Sequence, residues 1–302
     1  MSGDANSLKS IFFALAANFA IAVAKTAGAV FTGSSSMLAE AIHSFADCAN
    51  QGLLIWGLRE ARRPADADHP LGHGKAVYFW SFIVALMLFS MGGAFSIYEG
   101  VHKLGSPQPL DHPWVAVAIL AFGIAAESVS LWGCLREVDK ERGELGLWRW
   151  FRSSRQSELL VVLAEDVAAL GGLALALAFI GIAVATGEPR WDAAGSICIG
   201  ALLVVVALLV GIETKSLLIG QGVDDGALAR MRAFVDARPE VERVLNIVTQ
   251  QLGGDAMVAV KARMAAAPSA AALVEAINRV EAAFREAFPG VRWLFFEPDV
   301  AD

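Results

Sequence analysis

The sequence predicts an α-helical polytopic membrane protein: six transmembrane helices followed by a small αββαβ domain of ferredoxin-like type. Three observations carry this expectation. Hydrophobic residues make up 56% of the chain and charged residues only 18%, against roughly 25% charged in soluble domains. Six runs approach the ~20 apolar residues that a bilayer-spanning helix needs. After Ile219 the character changes, with Gly220, Gln221 and Gly222 punctuating the chain before a more polar remainder. The expected division is a transmembrane domain at 1–219 and a C-terminal domain at 220–302.

The apolar runs are Ile11 to Phe31, Met37 to Leu58, Tyr78 to Val101, Trp114 to Leu135, Glu158 to Ala183 and Ala193 to Ile219. Met1 to Ser10 is polar and the first run is span-length, so no cleavable signal is expected. The connection after span two carries Arg59, Arg62, Arg63 and Lys75, and the one after span four carries Arg136, Lys140, Arg142, Arg149, Arg152 and Arg155. The opposite loops hold little positive charge, so these two, and with them both termini, are expected on the cytoplasmic side. The expected location is the inner (cytoplasmic) membrane of a bacterium. In the second of these loops Trp148, Trp150 and Phe151 interleave with Arg149 and Arg152, the pattern of an interfacial helix. Beyond Ile219, periodicity predicts a helix at Asp225 to Ala237, strands at Val241 to Leu252 and Ala256 to Met264, a helix at Ser269 to Phe288 and a strand at Val291 to Phe296.

Composition also excludes. The net charge of -7 speaks against nucleic acid, because the basic residues cluster where positive-inside topology explains them. Cys48, Cys134 and Cys198 form no CxxC pair, so neither a disulfide framework nor a zinc ribbon is expected. No HExxH or comparable signature is present, and an enzyme is not expected.

What singles out this chain is a set of ionisable residues inside the apolar runs, where they are expensive and mark ion pathways. His43 and Asp47 stand at i, i+4 on one helix face, ~10 and ~16 Å into span two at 1.5 Å per residue. Glu165 and Asp166 lie ~11 to 12 Å along span five. One imidazole and three carboxylates thus reach matching depth near mid-membrane, a donor set for a divalent cation. Cation binding stabilises deprotonated ligands and releases their protons, which couples metal to proton movement. Polar residues bonding one another to hold helices together are the plainer alternative. Lys25 and Glu40, flanking one outer turn, are expected to form an interhelical ion pair, whereas Glu127 has no evident neighbour and is assigned a structural or gating role. No resident cofactor is implied.

The stretch HPLGHGKAVYFWSF, the preceding AEAIHSFAD and the glycine-serine turn Thr32 to Ser36, together with ETKSLLIGQG at Glu213 to Gly222, resemble the cation diffusion facilitator family of divalent-metal transporters. The resemblance covers nearly the whole chain. It implies a homodimer of six-helix protomers that exports zinc or a related cation in exchange for protons. It also implies a transport site with HxxxD or DxxxD on span two and the same pattern on span five. His43 and Asp47 match. On span five Asp166 matches the second position, but Val162 holds the first and offers no ligand, and Glu165 is the nearby replacement. LAEDVAALGG resembles the zinc transporter nine-like branch. In the loop after span two, Asp66, His69 and His73 match the family's peripheral metal-binding positions, with a solvated glycine turn as the alternative and Asp68 as a stand-in for Asp66.

The cargo expected is zinc, with manganese, ferrous iron and cobalt as alternatives. The competing function is a non-transporting, metal-binding or heterodimerising membrane partner, for which the loss at Val162 argues. No His or Cys follows Cys198, so metal sensing by the C-terminal domain is not expected, and its Asp224, Asp225, Glu297 and Asp299 read as a solvated surface.

Overall fold

The computed structural model describes residues 18–107 and 109–301. The expected polar lead Met1 to Ser10 and the first turns of span one lie outside the described residues. Among the described residues, four helices are long and apolar enough to cross a membrane: α3 (Ala76–Gly105), α4 (Pro113–Arg142), α6 (Ser157–Thr186) and α7 (Arg190–Ile219). Helix α1 is described over Asn18–Thr32, and α2 runs over Ser35–Ala61. The short α5 is Leu147–Ser153. Its Trp150 and Phe151 are buried while Trp148 is exposed.

Two compact units emerge. The first takes the chain up to Trp56, then Trp80–Leu147 and Glu158–Glu213; the second takes Gly57–Phe79, Trp148–Ser157 and Thr214–Asp302. The second unit thus takes in the last turns of α7 from Thr214 together with two upstream segments.

In the helical unit, Met37, Leu120, Leu173, Ile180, Ile199 and Leu203 form the interior. Helix α4 keeps only 17% of its apolar window buried, leaving Phe122, Val129 and Trp132 outward, as a lipid-facing helix requires. Close packing of α3 on α7 depends on small residues. A Cβ on Gly93 would lie 3.2 Å from the Gly200 carbonyl, and one on Gly200 would lie 2.7 Å from the Gly93 carbonyl, the device membrane helices use in place of a hydrophobic driving force. Within α3, Leu88–Ala94 widens into a π-helix, a distortion that often marks functional positions.

The start of α2 is anchored from α7. Asp192 accepts from the Ser34 hydroxyl (2.6 Å), the Ser35 hydroxyl (2.9 Å) and the Ser35 N–H (2.6 Å), while the Ser36 hydroxyl donates to the Asp192 carbonyl (2.7 Å). A carboxylate at a helix N-terminus satisfies donors that the helix leaves orphaned. All four groups are buried.

The second unit carries α8 (Asp225–Asp236), β1 (Val241–Leu252), β2 (Asp255–Met264), α9 (Ala270–Ala287) and β3 (Val291–Pro298). The order is the αββαβ read from periodicity. The sheet has three strands in the order β1-β2-β3, with β1 antiparallel and β2–β3 parallel. A two-residue turn joins β1 to β2, and Gly253 takes a φ of +69° there, as primed hairpin turns demand. The parallel β3 needs a crossover, which α9 supplies. Asp224 and Ser269 cap the two helices, accepting from Ala227 N–H (2.8 Å) and Ala272 N–H (3.1 Å). Met231 and Val235 of α8, Val280 and Phe284 of α9, and Val258, Val260 and Leu294 of the sheet share one core.

Two glycines in the loop before α3 allow this unit to close. Gly72 has a φ of +76°, and a Cβ on Gly74 would collide with the Leu252 carbonyl oxygen. Beside it the Tyr78 hydroxyl accepts from Gly253 N–H at 2.9 Å. On the other side of the hairpin end, Gln251 N–H donates to the Gln221 carbonyl (2.9 Å), and Arg155 Nε donates to the Gly222 carbonyl (2.6 Å).

Candidate metal centre

In the helical unit a cavity of about 40 Å³ is lined by Asn18, Ser44, Asp47, Gln51, Glu127, Ser130, Val162, Glu165 and Asp166, with Ile21 and Ala169. That exceeds the ~10–15 Å³ one water needs. Asp47, Glu165 and Asp166, all expected as ligands, face this one space. Asp47 lies near the middle of α2, while Glu165 and Asp166 sit in the first half of α6.

Each carboxylate is held differently. Glu165 Oε1 accepts from Asn50 Nδ2 at 2.6 Å. Asp166 Oδ1 accepts from the Ser130 hydroxyl at 3.2 Å, while its buried Oδ2 has no hydrogen-bond partner. Asp47 Oδ1 is also buried without a hydrogen bond. Leaving such oxygens unpaired away from water costs on the order of 1–3 kcal/mol or more for a charged group. A bound cation or proton removes that penalty.

His43 departs from the expected set. Its ring is wholly buried and Nδ1 stands 3.5 Å from Asp47 Oδ1, an ion-pair distance without hydrogen-bond geometry. Yet His43 does not line the cavity; its ring turns toward Gly92 in the π segment of α3, where a Cβ would lie 3.9 Å from Nδ1. Val162 does line the cavity and presents only methyl groups.

Sequence reasoning passed over Asn50 and Ser130. Asn50 falls at i+7 from His43 and i+3 from Asp47, on their helix face; that spacing was the available signal. Glu127, read as lacking a neighbour, faces the cavity beside Asp47, Glu165 and Asp166. The expected Lys25–Glu40 pair is formed: Nζ lies 3.3 Å from Glu40 Oε2 and donates to the Ser44 hydroxyl at 2.7 Å.

The loop cluster is of another kind. Among the described residues, Asp66, His69 and His73 alone bring three such ligand atoms within 4.8 Å of one another, so the cavity groups do not form an equally closed set. Asp66 Oδ1 lies 3.3 Å from His69 Nδ1, and Oδ2 lies 3.0 Å from His73 Nε2. The ring centroids are 4.1 Å apart. The loop itself builds this arrangement, since Asp66 Oδ1 also accepts from the backbone N–H of His69 (2.7 Å) and Asp68 (3.1 Å). Asp68 is therefore not needed as a stand-in. Hydrogen bonding from His73, then from the His69 backbone, holds the Asp66 carboxyl down to about 2. The His73 side chain is 8% exposed, against 55% for His69 and 44% for Asp66.

In the C-terminal domain, Asp224 serves as a helix cap and Asp299 pairs with Lys261 at 2.9 Å.

The family model for the cation efflux transmembrane domain matches residues 11–219. Among curated proteins, the mitochondrial proton-coupled zinc antiporter SLC30A9 of Xenopus laevis is 33% identical over 226 residues, covering 74% of this chain and 40% of that protein. Metal tolerance protein C4 of Arabidopsis thaliana is 32% identical over 257 residues, covering 83% of this chain and 55% of its own length. The cation-efflux pump FieF of Yersinia enterocolitica is 27% identical over 277 residues, covering 89% and 85%. The chain thus spans about half the length of the first two relatives and most of the third.

Proposed function

This chain belongs to the cation efflux family, and from that premise we propose that it exports a divalent cation, zinc first, from the cytoplasm in exchange for protons. It is a multi-pass membrane transporter and not an enzyme. The single observation that supports the exchange reading is the cavity lined by Asp47, Glu165 and Asp166, in which Asp47 Oδ1 and Asp166 Oδ2 are buried carboxylate oxygens without a hydrogen-bond partner. A cation entering there displaces protons from its ligands, and its departure lets protons return. An inward proton gradient then drives metal outward. Zinc is favoured by the zinc antiporter relatives and by its tolerance of oxygen and nitrogen donors.

In this reading the six apolar runs are six spans, both termini are cytoplasmic, and 1–219 and 220–302 are the transport and C-terminal domains, the latter a reduced ferredoxin-like sheet. His43 backs Asp47 as its neighbour on the same helix face, 3.5 Å away. Asp66, His69 and His73 hold a second, non-transported zinc. The protomers pair as a homodimer, consistent with the row Val248–Ala259–Phe295 on the sheet face opposite the core, where Val248 and Phe295 are each 56% exposed. A bacterial inner membrane is favoured by the positive-inside loops and the Yersinia relative.

The test is flux in proteoliposomes that contain a metal indicator and a pH dye. Zinc influx is expected to be accompanied by proton movement in the opposite direction and to be accelerated by a proton gradient. Zinc bound without flux would favour the competing non-transporting partner.

A further inference from the structure

We propose that Glu127 is the fourth carboxylate ligand of the transport cavity, and that it makes the site accept a hard, oxygen-preferring divalent cation, of which Mn²⁺ is the type, alongside zinc. This rests on the reading that the cavity carries the cargo. Glu127 lies at the midpoint of α4 and lines the cavity with Asp47, Glu165 and Asp166. Its face is fixed by Ser130, one turn further on, which lines the same space and donates to Asp166 Oδ1 at 3.2 Å. Among the described residues the Glu127 carboxylate accepts no hydrogen bond and has no cation within ion-pair distance, Lys25 acting on it only from further away. Opposite stands Asp166, only 8% exposed, with Oδ2 unpartnered.

The chemistry of the lining sets the preference. Val162 contributes no donor and the His43 ring does not line the cavity, so the available donors are carboxylate, amide and hydroxyl groups. Carboxylate and carbonyl oxygens suit manganese and its hard neighbours, whereas imidazole and thiolate favour zinc. Three helices, α2, α4 and α6, thereby supply four carboxylates, and the ligand missing at Val162 is replaced from a different helix.

The experiment compares Mn²⁺ and Zn²⁺ flux in proteoliposomes for the full chain, Glu127→Gln and Asp47→Ala. The full chain is expected to carry both metals. Glu127→Gln is expected to lose Mn²⁺ flux by at least about tenfold, the cost of removing even a supporting partner of a metal ligand. Its zinc flux falls less, because three protein ligands and a water complete a tetrahedral site. Absence of Mn²⁺ flux in the full chain, or equal flux of both metals in Glu127→Gln while Asp47→Ala is inactive, overturns the assignment and leaves the exporter reading intact. Activity of Asp47→Ala overturns that reading itself. A second measurement does not depend on Glu127→Gln folding: in Glu165→Gln protein carrying ¹³C-carboxyl glutamate, bound Mn²⁺ is expected to show a ¹³C hyperfine coupling by electron–nuclear double resonance. No coupling removes Glu127 from the coordination sphere.

Discussion

The two candidate sites solve opposite problems with overlapping ligands. In the loop, Asp66, His69 and His73 lie within 4.8 Å of one another, mostly open to water and fixed by backbone hydrogen bonds. In the helical unit, carboxylates face a common cavity without closing on it, and one buried oxygen each of Asp47 and Asp166 has no hydrogen-bond partner. A preformed cluster loses little on binding and gains nothing from letting go, which suits a resident ion. A buried, unclosed set is costly when empty and must be relieved by a cation or by protons. That alternation is what an exchanger needs.

Removing a ligand from each site separates them most sharply. Asp47→Ala and Asp166→Ala are expected to reduce proteoliposome flux to background while the loop still binds one zinc per chain by titration calorimetry. His73→Ala is expected to do the reverse, losing that bound zinc and keeping flux. If His73→Ala abolishes flux and Asp47→Ala preserves it, the assignment of roles is inverted.

A smaller effect tests whether the cavity is tuned by its surroundings. Asn50 donates to Glu165 at 2.6 Å without itself lining the cavity. Asn50→Ala is expected to lower flux by about 10-fold or more, through a freed Glu165, as loss of a supporting hydrogen bond commonly does. Glu165→Gln should match it if Glu165 is a ligand; wild-type flux in both removes Glu165 from the site. In the second unit the comparable substitution acts on folding. Gly74→Ala places a Cβ against the Leu252 backbone carbonyl, a contact neither partner can yield easily. It is expected to cost about 1–3 kcal/mol in thermal unfolding, with no change in the cavity's preference between metals.

How much of this was legible depended on whether local chemistry or packing decided it. Strand Val241–Leu252 and helix Asp225–Asp236 were read almost to the residue, because alternation, a capping aspartate and the Gly253-Gly254 turn are local signals. The loop residues Asp66, His69 and His73 are picked out through the resemblance to the family, and because eight consecutive residues contain all three, the loop alone can bring them together. Asp47, Glu165 and Asp166 stand out in the sequence by their cost in lipid and their depth, and all three line one cavity. Rotation of α4 about its axis was not readable, so Glu127 looked isolated although it faces the cavity. Nor was the π segment Leu88–Ala94, toward which the His43 ring turns. Spacing along a helix fixes neighbours on that helix; only packing fixes what they face.

The mildest prediction concerns the loop's own electrostatics. The His73 ring and the His69 backbone N–H hold the Asp66 carboxyl down to about 2, below its ordinary value of 3.8. A carboxyl depressed in the folded state contributes fully above pH 3.8, and that contribution is lost as pH falls through about 2. In metal-free protein, the Asp66 carboxyl ¹³C resonance is therefore expected to titrate with a midpoint near 2. His73→Ala removes the largest cause and should move that midpoint back toward 3.8, whereas His69→Ala, which leaves the His69 backbone N–H in place, should move it less. An equal shift in both variants would mean that the two rings hold the carboxylate alike. The cluster would then be a symmetric clamp rather than a His73–Asp66 pair with His69 alongside.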